Sequence, residues 1–218
     1  MDTGAAEVDV FAVGFSKGLL KMPRKPRMVR EVIAEDLLLK IISTIEAKNT
    51  PISLRDSAMF RLIAVTGIRG SEAVGINLAD CDFSATTPFI RISGKGGDMR
   101  LVYPTPNTLK AITRWLEVRP QTNSNALFIE IIPPFLGLSR LSVLDRLKTW
   151  GGRAGVDLTL VSSRQLRKRY ATQFAENGGS MAHLQKLLGH ANLLTTEMYI
   201  ADHLPKTAYH ALHSAPEI

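Results

Sequence analysis

The chain has 218 residues, 45% of them hydrophobic, and carries 27 Lys and Arg against 20 Asp and Glu, a formal net charge of +7. That is enough apolar material for one substantial core, and the positive surplus points to a polyanionic partner, since every phosphate neutralised releases condensed counterions. A lone cysteine, Cys81, excludes an internal disulfide and a cysteine-based zinc cluster. With no run of about 18 apolar residues and no signal-peptide start, the expected location is cytoplasmic.

The first 30 residues differ from the rest. Scattered glycines lead to Lys21-Met22-Pro23-Arg24-Lys25-Pro26-Arg27, where prolines oppose a helix, and the stretch reads as a basic linker or tail. Leu37, Leu38, Ile41 and Ile42 then recur at helical spacing from Ala34. Asn49-Thr50-Pro51 breaks that helix, and a second is expected from about Leu54 to Val65. Gly67 ends or bends it, and a further turn or two begins near Ser71. Phe89–Ser93 and Met99–Tyr103 are β-rich and flank Gly94-Lys95-Gly96-Gly97-Asp98, the pattern of a hairpin. Helical patterns return at about 106–118, 140–153, 163–177, 180–188 and 193–202, with one more short helix between Pro205 and His213. The expected fold is mainly α with a small antiparallel β-sheet, an α+β domain over 31–218.

Four separated segments carry candidate chemistry. The first is Thr66-Gly67-Ile68-Arg69-Gly70-Ser71-Glu72, an arginine past a helix end with a carboxylate three residues on. The second is Lys95 at the hairpin tip, and the third is Leu166-Arg167-Lys168-Arg169-Tyr170, preceded by Arg164. The last runs Leu188-Gly189-His190 to Thr195-Thr196 and Tyr199. Read singly, each has a plain structural account: a surface arginine, a solvated loop lysine, a polar helix cap, a packed aromatic. Together and in this order, over about residues 30 to 202, they resemble the tyrosine site-specific recombinases, which include the phage integrases.

The resemblance implies a mechanism. Arg69 and Arg167 would clamp the non-bridging oxygens of a DNA phosphate, for which a planar, permanently charged guanidinium is suited. His190 would add a donor, Lys95 would protonate the departing 5′ oxygen, and Tyr199 would be the nucleophile that holds the 3′ end as phosphotyrosine. Glu72 would orient an arginine. No metal or organic cofactor is implied. The family usually has histidine where this chain has Arg164, and arginine cannot exchange a proton near neutral pH, so an active but slower enzyme is expected. Lys168, Arg169, Arg24 and Lys25, with Arg146, Lys148 and Arg153, are candidate phosphate contacts that position without reading sequence. Trp115 and Trp150 read as core or interface anchors.

The implied partner is double-stranded DNA, with four subunits assembled on it and a monomer without it. A mobile element is the expected setting. The helical DNA-binding domain that family members place ahead of the catalytic domain is not evident here, and a fragment of a longer protein is expected. Two other functions fit parts of the pattern: relaxation of DNA by a topoisomerase-like enzyme, and a catalytically weakened DNA-binding protein, to which only Arg164 points.

Overall fold

The helix from Glu35 to Glu46 (α1) turns Leu38, Ile41, Ile42 and Ile45 inward, an i, i+3, i+4, i+7 stripe, and carries Glu35 and Asp36 in its first turn, where the helix dipole favours anions. The structure, a computed structural model, describes residues 32–94 and 97–189. The chain divides into Met1–Arg30 and Glu31–Ile218, and every described residue belongs to the second unit.

The second helix, α2 (Pro51–Thr66), begins three residues earlier than the sequence suggests. The proline taken as a breaker sits at its first position, where a missing N–H costs nothing. Thr50 and Ser53 cap it reciprocally: the Ser53 amide donates to Thr50 Oγ1 at 3.3 Å, and the Thr50 amide donates to Ser53 Oγ at 2.8 Å. Helix α2 is the centre of the domain, packed by α1, by α4 (Pro106–Val118) and by α6 (Ser163–Glu176). Every residue from Ser53 to Phe60 is therefore buried, charged ones included.

Burying Arg55 and Asp56 requires compensation, and the fold supplies it. Arg55 donates to Asp56 Oδ1 from Nε at 2.9 Å and Nη2 at 2.7 Å, and to the Ile129 carbonyl at 2.8 Å. The indole N–H of Trp150, on α5 (Arg140–Arg153), donates to Asp56 Oδ2 at 2.8 Å. Arg146 on the same helix lies 3.6 Å from Asp56 and pairs with Glu130 at 2.9 Å. This is a buried ionic network in which most of the charge-bearing atoms are satisfied. Arg146, read from the sequence as a candidate phosphate contact, thus spends its guanidinium on Asp56 and Glu130. Arg153 stacks over the Trp150 ring at 4.6 Å. Trp115 is fully buried and donates to the Leu127 carbonyl at 2.9 Å, a core anchor as expected.

Beside the helices lies a three-stranded antiparallel sheet in the order β1 (Cys81–Asp82), β2 (Phe89–Ser93), β3 (Met99–Val102). The hairpin forms as expected, with Ile90 opposite Val102 and Ile92 opposite Arg100. The Gly94 amide donates to the Asp98 carbonyl at 2.7 Å and closes its loop. Strand β1 is too short to show in the sequence pattern. Helices α4 and α5 occupy the residues expected of them. The last described helix, α7 (Met181–Leu188), ends on Gly189 at φ 62°, the left-handed cap that glycine adopts without penalty. The helices expected at 193–202 and 205–213, and the basic N-terminal stretch, lie outside the described residues.

Candidate active site

Arg69 follows α2 by three residues because Gly67, at φ 65°, turns the chain sharply. No side chain fits at Gly67: a Cβ there would press on the Tyr170 ring and lie 2.8 Å from Leu188. The Arg69 backbone N–H, at the start of the five-residue helix α3 (Gly70–Val74), donates to Glu72 Oε2 at 2.7 Å. Its own guanidinium returns to Glu72 Oε1, also at 2.7 Å. Glu72 thus holds Arg69 twice, at the backbone and at the guanidinium.

Glu72 is surrounded by cations. Arg100 on β3 donates to both of its oxygens, at 2.7 Å from Nη2 and 3.2 Å from Nη1. Arg167 on α6 stands 4.0 Å from it. Burial by itself would push the Glu72 carboxyl up, but the Arg100 hydrogen bond, the Arg69 amide and the arginine charges outweigh burial and hold it below the ordinary 4.5. One carboxylate among three guanidinium groups leaves the cluster with a clear positive excess.

The same three arginines cover the end of α7. Arg100 Nε donates to the Leu187 carbonyl at 2.8 Å, Arg167 Nη2 to Leu188 at 2.7 Å, and Arg69 Nη2 to Gly189 at a longer 3.5 Å. Three successive carbonyls at the negative end of a helix dipole are each taken by a different cation. Arg167 also donates to the Gly67 carbonyl at 2.7 Å, joining the turn before Arg69 to the end of α7. Side-chain exposure separates the arginines: 42% for Arg69, 12% for Arg100 and 4% for Arg167. Arg69 has the accessible guanidinium, whereas Arg167 sits beneath the surface as a brace and a fixed charge.

Beside Arg69 opens a cleft of about 440 Å³, lined by Arg69, Ser71, Glu72, Ile76, Arg91 and Ser93 and reaching Gly94, the residue before Lys95. Arg91 stands exposed there over the Phe89 ring. The structure therefore brings Arg69, Glu72 and Arg167 together from segments up to 100 positions apart. Arg164 is exposed one turn before Arg167 on α6. Lys168 is half-buried. Arg169 was expected at DNA phosphates, but it pairs with Glu35 at 2.8 Å and donates to the Ile33 carbonyl at 3.3 Å, so it ties α6 to the start of α1. Lys95, His190, Tyr199, Arg24 and Lys25 lie outside the described residues. The sequence reading missed Arg100, which appears in it only as part of a strand.

A mainly helical domain with guanidinium groups gathered about one carboxylate, next to an open cleft, is built to meet an anion. The chain belongs to the phage integrase family, whose model matches residues 31–204. It is similar to tyrosine recombinase XerC of Psychromonas ingrahamii, 31% identical over 196 residues, covering 88% of this chain and 63% of the relative. XerC of Alcanivorax borkumensis is 31% identical over 184 residues, covering 83% of this chain and 58% of the relative. The chain thus spans about 60% of the length of these relatives. Among solved structures, XerA recombinase superposes with TM-score 0.71 at 23% identity, covering 90% of this chain and 68% of the other. XerH recombinase bound to its difH substrate gives TM-score 0.71 at 22% identity, covering 90% and 56%. At that identity the likenesses establish the fold. No described helix is long and apolar enough to cross a membrane.

Proposed function

We propose that this chain cleaves and rejoins DNA at specific sites through a covalent 3′-phosphotyrosine, and so carries out site-specific recombination. The observation that carries the reading is the convergence of Arg69 and Arg167, joined through Glu72, on the end of α7, one residue before His190 and ten before Tyr199, in a chain of the phage integrase family. The scissile phosphate would lie against the Arg69 guanidinium. Tyr199 Oη gives up its proton to water and attacks phosphorus, a Tyr–O–P bond forms, and the P–O5′ bond breaks. Lys95 gives the leaving oxygen its proton, so the products are a phosphotyrosine and a 5′ hydroxyl. Attack by a partner strand's 5′ hydroxyl reverses the step, and no external energy source is needed because the ester bond is conserved. Charge accumulating on the phosphoryl oxygens meets donors already in place, worth roughly 10²–10³-fold in rate for each one that contacts the oxygens.

Double-stranded DNA is the proposed partner, bound by four subunits, with a monomer in its absence and a cytoplasmic location. Residues 31–218 act as the catalytic unit, and the basic residues Arg24 and Lys25 belong to a linker ahead of it. A mobile element is the proposed setting, supported by the departure at Arg164. The likeness to XerC supports the reaction class and not the setting. Arg164 is exposed and keeps a donor, but not a titratable one, where the family usually has histidine.

Covalent trapping tests the reading. The protein and its Tyr199→Phe version are incubated with nicked suicide duplexes made from DNA flanking the gene. A denaturation-resistant adduct with the first alone is expected, and Arg164→His should raise its rate of formation without moving Tm. An equal adduct yield from Tyr199→Phe would sink the assignment of the nucleophile. Relaxation of supercoiled DNA with no product from paired sites would favour a topoisomerase-like activity instead.

A further inference from the structure

We propose that Arg100 is a positioning residue that locks the Arg69 guanidinium, the hairpin and the end of α7 into one rigid unit. The inference rests on the reading of the site given above. A single guanidinium, only 12% exposed, spends donors in two directions. Nη1 and Nη2 grip both oxygens of Glu72, and Nε holds the Leu187 carbonyl. Glu72 in turn carries Arg69 through both its amide and its guanidinium. Arg100 therefore acts on Arg69 through one intermediary, and on the residues leading to His190 through the helix end.

Its place in the sheet adds a third connection. Arg100 lies two residues past Asp98, whose carbonyl closes the loop that holds Lys95. In the antiparallel register it sits opposite Ile92, which is buried, so strand geometry aims it inward and not to solvent. The fit on the far side is tight: a Cβ at Gly189 would stand 3.0 Å from Arg100 Nη1. The glycine of the Leu188-Gly189-His190 segment is thus required twice, for its left-handed φ and for the approach of this guanidinium. Lysine cannot replace the arrangement, because one ammonium cannot span a carboxylate and a carbonyl in two directions as a planar fork does.

Two arms test the assignment on the 218-residue chain. In the first, Arg100→Met and Arg100→Lys are compared for the rate of adduct formation at saturating suicide duplex and for duplex affinity. Misplacement of a group by about an ångström costs on the order of 10²-fold in rate, so Arg100→Met should lose about that much with little change in Kd, and Arg100→Lys should recover part of it. In an Arg69→Ala background the loss from Arg100→Met should shrink; losses that multiply in full would overturn the coupling. In the second arm, hydrogen exchange without DNA should quicken in Arg100→Met across peptides covering 184–189 and strands β2 and β3, while α2 and α4 keep their protection. Uniform acceleration, or none, would overturn the proposal. If Arg100→Met does not fold, Arg100→Lys carries both arms alone. A wild-type chain that forms no adduct would remove the functional reading, and the exchange arm would still decide whether Arg100 holds these elements together.

Discussion

Replacing Asp56 with alanine should destabilise the domain severely, and the structure says by how much. Asp56 accepts two hydrogen bonds from Arg55, at 2.9 and 2.7 Å, and one from the Trp150 indole at 2.8 Å. Arg55 is completely buried and cannot turn to water when its partner is removed. Its ordinary pKa is already lowered by burial, against which the Asp56 charge works. Removing one partner of such a pair costs about 3–5 kcal/mol. Glu130, 3.4 Å from Arg55, remains as a weaker counter-charge, so the lower half of that range applies. In a domain of this size each kcal/mol moves Tm by roughly 2–4 °C, which gives a fall of about 6–16 °C for a loss of ~3–4 kcal/mol. Urea unfolding followed by circular dichroism is the assay. Trp150→Phe keeps the ring but loses the N–H, and should cost only about 1–2 kcal/mol. The double change Arg55→Met with Asp56→Leu removes both charges and should cost less than Asp56→Ala alone. A loss below about 1 kcal/mol for Asp56→Ala would refute the account, because a buried guanidinium left with only Glu130 and the Ile129 carbonyl cannot be that cheap.

Acid should weaken the site through Glu72. Its folded-state pKa lies below the ordinary 4.5, so ionised Glu72 contributes stability that is complete above that value and lost as the pH falls through the depressed one. The stability of Glu72→Gln should accordingly fall less steeply below about pH 4.5 than that of the parent, as read from Tm against pH, and an identical slope would contradict the pairing. Gly67→Ala forces a left-handed φ on alanine and drives a methyl group against Tyr170 and Leu188. It should cost about 2–4 kcal/mol by urea unfolding and slow adduct formation, and a neutral outcome would mean the turn has room the structure denies.

Elements with a single buried face were legible in the sequence. Helix α1 shows its stripe of Leu38, Ile41, Ile42 and Ile45, and the hairpin declares itself through β-branched residues around a glycine-rich loop. Helix α2 was harder to place. It is covered on several sides, so its pattern loses contrast, and the adjacent Arg55 and Asp56 look like an exposed face although they are the most deeply buried charges described. What hides them is partners 74 to 94 positions away, which local periodicity cannot show. In the site, Arg69, Glu72 and Arg167 were readable because their motifs recur as a set. Arg100 had a signal that went unused: in the hairpin register, Ile90 and Ile92 face inward and lie opposite Val102 and Arg100. A charge on the inward side of a strand demands a buried partner. The pairing of Arg146 with Glu130 and of Arg169 with Glu35 was not legible, because composition counts cations without saying which already face a carboxylate.

The three carbonyls at the end of α7 also bear on when the site can close during synthesis. Arg69 emerges from the ribosome long before Gly189, 120 positions later, and Arg167 is made 100 positions after the Gly67 carbonyl it binds. Contacts of such long sequence separation form late and slow the search for the native state. Until the end of α7 is synthesised, Arg69 and Arg100 are held through Glu72, and Arg167 through the Gly67 carbonyl and the Glu72 charge. The guanidinium cluster therefore gains its last set of acceptors only as the segment leading to Tyr199 is delivered.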